Sequence, residues 1–249
     1  KQKFLDRRKP GQSRYTTARK EGDVAEILSG VFEGKTTGTP ISVIVKNTDQ
    51  RSRDYGNIAY SYRPGHADYT LDAKYGFRDY RGGGRSSGRE TIGRVAGGAI
   101  ASKILENLGV SFCTYTRSIG PVSINEFHED EISNNAFYMP DADAAAKAGE
   151  YLEQCMKEHD SAGGVIECRI KGVPAGLGIP VFEKLDAVLA EAIMSVGAVK
   201  AVEIGDGIQT ASLKGSSDND GFSCQNGQIC KTSNHAGGIM GGISDGSEI

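Results

Sequence analysis

The densest chemistry in this 249-residue chain is the segment Arg78-Asp-Tyr-Arg-Gly-Gly-Gly-Arg-Ser-Ser-Gly-Arg-Glu90. Three consecutive glycines let the backbone bend and come close to a ligand. The loop then opens a helix, where unpaired N–H groups and the positive end of the dipole favour an anion. Arg85, Ser86 and Ser87 add one cation and two hydroxyl donors at that point. Five arginines fall between Arg78 and Arg94, and their planar forks suit phosphate and carboxylate. The Gly-Lys-Ser/Thr end of a Walker loop is absent. A solvated Gly/Arg tail of the RNA-binding kind is the alternative, but such tails do not cap an amphipathic helix.

Four further clusters carry polar chemistry. Asp6-Arg-Arg-Lys-Pro-Gly-Gln-Ser-Arg14 places cations around a turn, and Asn47-Thr-Asp-Gln-Arg-Ser-Arg53 follows a candidate strand, where ligand sites are common. Arg63-Pro-Gly-His-Ala-Asp68 sets a guanidinium and an imidazole on one turn. That cationic setting predicts a lowered pKa for His66 and proton exchange near neutrality. Ser233-Asn-His-Ala-Gly-Gly-Ile-Met-Gly-Gly-Ile243 offers glycine amides to a planar ligand. His128 and His159 lie in acidic, polar surroundings and read as solvated. No Ser/His/Asp nucleophile set and no metal-ligand spacing is present.

Charge distribution supports a local anion site. The net charge is -3, yet residues 1–94 hold 19 Lys or Arg against 11 Asp or Glu, and the remainder is strongly acidic. This asymmetry argues against a general nucleic-acid surface. Cys113, Cys155, Cys168, Cys224 and Cys230 follow no metal spacing and read as reduced thiols, which predicts a cytosolic (cytoplasmic) or organellar protein. No apolar run approaches a membrane span. The 34 glycines predict many tight turns.

These residues need elements to hold them. Ile41–Val45 is β-branched and reads as a strand. Residues 1–22 and 47–90 show no regular period. Ser87-Gly-Arg-Glu90 fits a capping box, and Ile92, Val95, Ala96, Ala99, Ile100 and Ile104 then give a helical apolar face. A second helix is predicted over Asp141–His159. A third is predicted over Ile179–Val196, with Phe182, Leu185, Leu189 and Ile193 inward. Strands are predicted over Val165–Lys171, with Ile166, Cys168 and Ile170 on one face, and over Val199–Ile204. Ser29-Gly-Val-Phe-Glu-Gly34 and Lys171-Gly-Val-Pro-Ala-Gly176 form a weak internal echo.

Six motifs together resemble the chorismate synthase family, in that family's order. They are Asp6-Arg-Arg-Lys-Pro-Gly, Arg63-Pro-Gly-His-Ala-Asp-Tyr, Tyr80-Arg-Gly-Gly-Gly-Arg-Ser-Ser-Gly-Arg-Glu-Thr, Gly172-Val-Pro-Ala-Gly-Leu-Gly, Val202-Glu-Ile-Gly-Asp-Gly and Ser233-Asn-His-Ala-Gly-Gly. The resemblance implies a single α+β domain over residues 1–249, a β-α-β sandwich with an internal pseudo-two-fold repeat, assembled as a homotetramer. It implies conversion of 5-enolpyruvylshikimate 3-phosphate to chorismate and phosphate with reduced FMN, NADPH or another reductant supplying the reduction. By motif, Arg8, Arg14 and Arg63 bind the substrate's phosphate and carboxylates. Arg8 and Arg14 are also where the family places a nicotinamide-nucleotide phosphate. Arg85, Ser86 and Ser87 bind FMN, and Gly197, Ala198 and Gly241 match further FMN contacts. Gly197 stands where the family often has Asn, so its contact is through the backbone. His66 matches the histidine that protonates reduced flavin. The family's Gly-Glu-Ser-His-Gly, Lys-Pro-Thr-Ser-Ser and Arg-His-Asp-Pro motifs are not found here. That predicts a fragment, inactive and weak in FMN binding as it stands. Partners expected are the substrate and FMN, with neither nucleic acid nor membrane.

Overall fold

A computed structural model describes residues 2–17, 19, 21–48, 56, 58–81 and 87–249. The chain mixes helices with short antiparallel strands and falls into two compact units, residues 1–103 and 104–249.

In the first unit, α1 (Gln2–Arg8) buries Leu5. The polar composition of residues 1–22 hides this helix, because one buried leucine carries no period. β1 (Ala25–Ser29) is followed by the small hairpin β2 (Val31–Phe32) and β3 (Lys35–Thr36). β1 pairs antiparallel with β4 (Ser42–Val45), which is the β-branched strand read from the sequence. Residues 47–90 are not irregular throughout, since α2 spans Asp68–Tyr75. Its only aliphatic side chain larger than alanine is Leu71, so no apolar stripe announces it. The end signals are present instead: Asp68 in the first turn, Lys74 in the last, and left-handed Gly76 closing onto Asp72 O at 2.8 Å. A 3-10 turn, Gly88–Glu90, leads into α3 (Thr91–Asn107). α3 buries Ala99 and half-buries Ile92, Val95, Ala96 and Ile100, as its period predicts, while Ile104 stays exposed.

In the second unit, β5 (Ser111–Ile119), β6 (Val122–Ser123) and β7 (Gly164–Lys171) form an antiparallel sheet in the order β6-β5-β7. β5 is bulged between Thr116 and Ser118, and Tyr138 O accepts the Thr116 amide at 3.0 Å. α4 (Ala142–Lys157) packs Ala144, Ala145 and Ala148 on Met139, Ile119, Val122, Ile124 and Phe137. Small side chains let the helix lie close to the sheet. Its cap is Asp141, whose carboxylate accepts from the amides of Ala144 at 2.9 Å and Asn125 at 2.9 Å.

Three expectations need correction here. β7 forms with Ile166, Cys168 and Ile170 on one face, but Ile166 and Cys168 on that face are exposed while Glu167 and Arg169 on the other are half-buried. Glu167 is drawn to that side by Tyr115 and Arg117, and Arg169 by Glu248 and the Phe127 ring. The third helix, α5, spans only Leu185–Met194. Residues 179–184 instead make a tight turn closed by an Ile179–Glu183 bridge, which leaves Phe182 outside and exposed. Ile193 is also exposed. Residues 199–204 form no strand, because no segment among the described residues supplies a ladder. α6 (Gly215–Asp218) and two hairpins follow, β8 (Phe222–Gln225) with β9 (Gln228–Lys231) and β10 (Ile239–Met240) with β11 (Ile243–Ser244). Asn226 and Gly227 close the first hairpin with positive φ at both residues.

The internal echo has a local meaning. Gly30 follows β1 and Gly172 follows β7, both at φ +80, and a Cβ added at either would collide with a backbone carbonyl oxygen, that of Pro40 or that of Gly109.

Candidate active site

The turn from Arg63 to Asp68 is a closed ring of hydrogen bonds. Arg63 donates its amide to Asp68 Oδ2 at 3.0 Å, Nε to the same oxygen at 2.9 Å, and Nη2 to Oδ1 at 2.8 Å. Asp68 is buried, and the Arg63 hydrogen bond holds its carboxyl far below the usual carboxylate range although burial pushes the other way. His66 sits at the apex, exposed, with its amide on Arg63 O at 3.3 Å and Nδ1 3.0 Å from Pro64 O. Arg78 closes the turn from behind. It pairs with Asp72 and donates Nη2 to Ile58 O at 2.7 Å and Ser61 O at 2.8 Å, beneath the Tyr62 ring.

A second cluster surrounds Asp23. Its carboxylate takes Arg8 Nη1 at 2.8 Å and Arg89 Nη2 at 2.9 Å. Arg8 also donates Nε to Thr91 Oγ1 at 3.0 Å and Nη2 to Gly88 O at 3.3 Å. Glu21 Oε1 lies 2.9 Å from Arg89 Nη1 as an ion pair, off the hydrogen-bond direction. Glu21 Oε2 accepts the Thr48 amide at 3.1 Å.

These pairings revise the reading of the arginine-rich segment. Arg89 faces the buried Asp23, Arg78 pairs with Asp72 and stands 3.8 Å from the buried Asp68, and Arg81 pairs with Asp79 at 3.1 Å. Much of the arginine charge among the described residues is therefore matched locally. Arg14 stays exposed, stacked on Tyr15 with Nη2 on its hydroxyl at 2.7 Å. Arg85 and Ser86 lie outside the described residues, as do the three glycines before them. Ser87 caps the 3-10 turn, with its hydroxyl accepting the Arg89 amide at 3.2 Å and its carbonyl accepting that of Glu90 at 3.0 Å. The cap therefore bonds one residue earlier than a capping box would. A cavity of about 340 Å³ beside this turn is lined by Val43, Val45, Arg89, Glu90, Ile92 and Ala96.

In the second unit, Ala198 adopts φ +69, unusual for a residue with a Cβ, while Gly197 does not need positive φ. Gly241 has φ +60 and open space where a Cβ would stand. The Ser233–Ile243 loop is organised by a residue that its own sequence does not suggest. Asp220 accepts from Ser233 Oγ at 2.6 Å, the His235 amide at 2.7 Å and the Ala236 amide at 3.1 Å. It also pairs with Lys231 at 2.9 Å, and Lys231 reaches Asp245 at 2.9 Å. Burial would raise the Asp220 carboxyl, but these bonds outweigh it and hold it well below the usual range. His235 Nδ1 is 2.7 Å from Asp206 Oδ2. Asp206, Asp218 and His235 bring ligand-type atoms within 4.8 Å of one another, a grouping scattered in the sequence. His128 is exposed beside Glu126, and His159 is exposed. All five cysteines are free. Among the described residues, no helix is long and apolar enough to cross a membrane.

Comparison with known proteins gives consistent results. The family model described as chorismate synthase matches residues 1–249. A chorismate synthase of Agathobacter rectalis is 64% identical over 248 residues, covering 99% of this chain and 68% of that protein. One from Lachnoclostridium phytofermentans is 63% identical, covering all of this chain and 68% of its own length. A solved crystal structure of a chorismate synthase superposes with a TM-score of 0.78 at 31% identity, covering 91% of this chain and 69% of the other.

Proposed function

The chain belongs to the chorismate synthase family, and we propose how its own residues serve that reaction. It is a lyase of the α+β chorismate synthase fold, acting in the 1,4-anti elimination of phosphate from 5-enolpyruvylshikimate 3-phosphate to give chorismate. Both compact units are read as parts of one family domain over residues 1–249, since the family match runs through both.

The substrate is multiply anionic, so cations must hold it. Arg8, Arg14 and Arg63 bind its phosphate and carboxylates through charge-assisted hydrogen bonds. The fork of Arg63 on Asp68 supports this reading, because a guanidinium held on one edge is aimed before the substrate arrives. The same cations, placed on the departing phosphate, stabilise its developing charge.

His66 is the proton-exchanging residue. A carbonyl oxygen only accepts, so the contact with Pro64 O puts the ring proton on Nδ1. The neutral ring then carries its lone pair on Nε2, and that atom takes up and delivers the proton.

Arg85, Ser86 and Ser87 bind FMN, as do Gly197, Ala198 and Gly241. The residues present suit such a group. The Ser87 hydroxyl stands at the entry to a 17-residue helix, in the turn whose Arg89 and Glu90 line the cavity together with Val43, Val45 and Ile92, and Gly241 leaves open space on its Cβ side. Reduced FMN, when bound, lends electron density to the substrate and regains it, so the reaction has no net redox change. NADPH or another reductant supplies its reduced form, and Arg8 and Arg14 also suit a nicotinamide-nucleotide phosphate. A homotetramer in the cytoplasm is supported by exposed apolar side chains such as Ile166, Phe182 and Ile229 and by five free thiols.

The test uses the whole protein that contains this chain, anaerobically, with reduced FMN. Chorismate and phosphate should form, and His66→Ala should lower kcat far more than it weakens FMN binding. Unchanged turnover in that variant removes His66 from the mechanism.

A further inference from the structure

Two carboxylates in the first unit are almost fully inside. The side chains of Glu21 and Asp23 are 1% and 0% exposed. Buried acids must be paired, and these are. A buried ion pair, however, adds little net stability over apolar residues of the same volume. Stability alone therefore does not explain two such acids facing two arginines. Their geometry gives a better account.

Asp23 spends its two oxygens on arginines from different places in the chain, Oδ2 on Arg8 at the end of α1 and Oδ1 on Arg89 in the turn before α3. Its backbone is fixed at φ +42. Gln2 holds it there, donating Nε2 to Asp23 O at 3.1 Å and accepting the Ala25 amide at 3.1 Å. Arg8 is then steered further onto the same turn, with Nε on Thr91 Oγ1 and Nη2 on Gly88 O, next to Ser87.

We propose that Asp23 is a positioning residue, whose buried carboxylate orients the Arg8 guanidinium and locks it in register with the Ser87–Thr91 turn, so that one acid sets both the substrate-anion group and the FMN-binding turn. This rests on the roles of Arg8 and Ser87 proposed above. Neither arginine can turn without breaking a bond to the buried acid, and neither bond can be replaced by water at 0% exposure.

The test is Asp23→Asn in the whole enzyme. Asparagine keeps the size and tolerates the left-handed backbone, but its amide must face one of the two guanidinium groups. KM for 5-enolpyruvylshikimate 3-phosphate should rise about tenfold, with a rise in the Kd of FMN and a smaller change in kcat. A fall in kcat with KM and FMN affinity intact is the mark of a lost folded fraction and overturns the proposal. Thr91→Val leaves the buried charges alone and removes the hydroxyl that accepts from Arg8 Nε. It should raise KM about threefold. If Asp23→Asn does not fold, an unchanged KM in Thr91→Val overturns the proposal. Arg8→Ala separates the two levels. If it leaves KM unchanged, the substrate role of Arg8 fails and the proposal falls with it. If it raises KM while Asp23→Asn does not, Arg8 keeps its role and positioning by Asp23 is wrong.

Discussion

The guanidinium of Arg63 lies as a two-toothed fork on the carboxylate of Asp68, with Nε and Nη2 at 2.9 and 2.8 Å from its two oxygens. The Arg63 amide shares one of those oxygens at 3.0 Å, so one side chain fixes both the backbone and the head of Arg63. Arg78 stands 3.8 Å from the other oxygen, and its side chain is only 7% exposed. The ring that carries His66 is thus closed by a buried acid between two cations.

Removing that acid should be costly. Asp68→Ala leaves Arg78 with less counter-charge in a buried setting, and the expected loss is about 3 kcal/mol, read as a lower urea midpoint at unchanged slope. The pH dependence has a fixed sign. Asp68 is depressed in the folded state, so its contribution is full above the unfolded value of about 4 and disappears as pH falls through the folded value. Asp68→Asn should flatten the acid limb of the stability curve. An acid limb identical to that of the parent would show that Asp68 is not the titrating group.

Asp220 should govern the order of the Ser233–Ile243 loop. It accepts two loop amides and the Ser233 hydroxyl while neutralising Lys231. Asp220→Ala should cost about 3 kcal/mol and speed hydrogen exchange at the His235 and Ala236 amides before the rest of the unit opens. Lys231→Met should act in the same direction, since it strands Asp220 and Asp245. Unchanged exchange at those two amides in Asp220→Ala would place the loop's support elsewhere.

His235 should titrate above the ordinary histidine value of about 6.5. The hydrogen bond that its ring donates to Asp206 raises it, with burial opposing and the charges of Asp206, Asp220 and Asp218 assisting. A raised folded value means that this pairing supports the loop fully below the unfolded pKa and fades as pH rises through the folded one. An NMR titration of the ring checks this. Asp206→Asn should bring the midpoint down, and a midpoint at or below 6.5 in the parent would contradict the contact.

Some of this was legible in the sequence and some was not, for definable reasons. Asp141 and the alanines after it predict α4 because cap and period lie within one short window. Ile41–Val45 is similarly local. Six ordered motifs identify the family without any geometry. The partners of the arginines were not legible, because no local pattern says that Glu21, Asp23 and Asp68 will be buried. The charge excess over residues 1–94 points to a local anion site but does not show that Arg8, Arg63, Arg78 and Arg89 all face acids in the fold. Val199–Ile204 reads as a strand in the sequence, but a strand needs a neighbour that only tertiary structure supplies. β5 was missed although Phe112, Thr114, Tyr115, Thr116 and Ile119 between Gly109 and Gly120 are strand-forming types. Asn226-Gly227 was a hairpin signal of the same local kind.

The glycine that ends β7 offers the sharpest test of backbone packing. Gly172 has φ +80, and a Cβ there would lie 2.1 Å from Gly109 O. That carbonyl belongs to the turn before β5, whose Ser111 pairs with Lys171. An added methyl group must therefore push apart the end of the sheet ladder as well as strain its own backbone. Gly227 has the same φ of +80 with nothing within 4 Å of a Cβ, so Gly227→Ala carries only the conformational cost, about 1 kcal/mol. Gly172→Ala should cost about 3 kcal/mol, the excess being the steric part. Urea midpoints of the two variants, measured side by side, isolate that part. If Gly172→Ala is no worse than Gly227→Ala, the close approach of β7 to the Gly109 turn is not a real constraint.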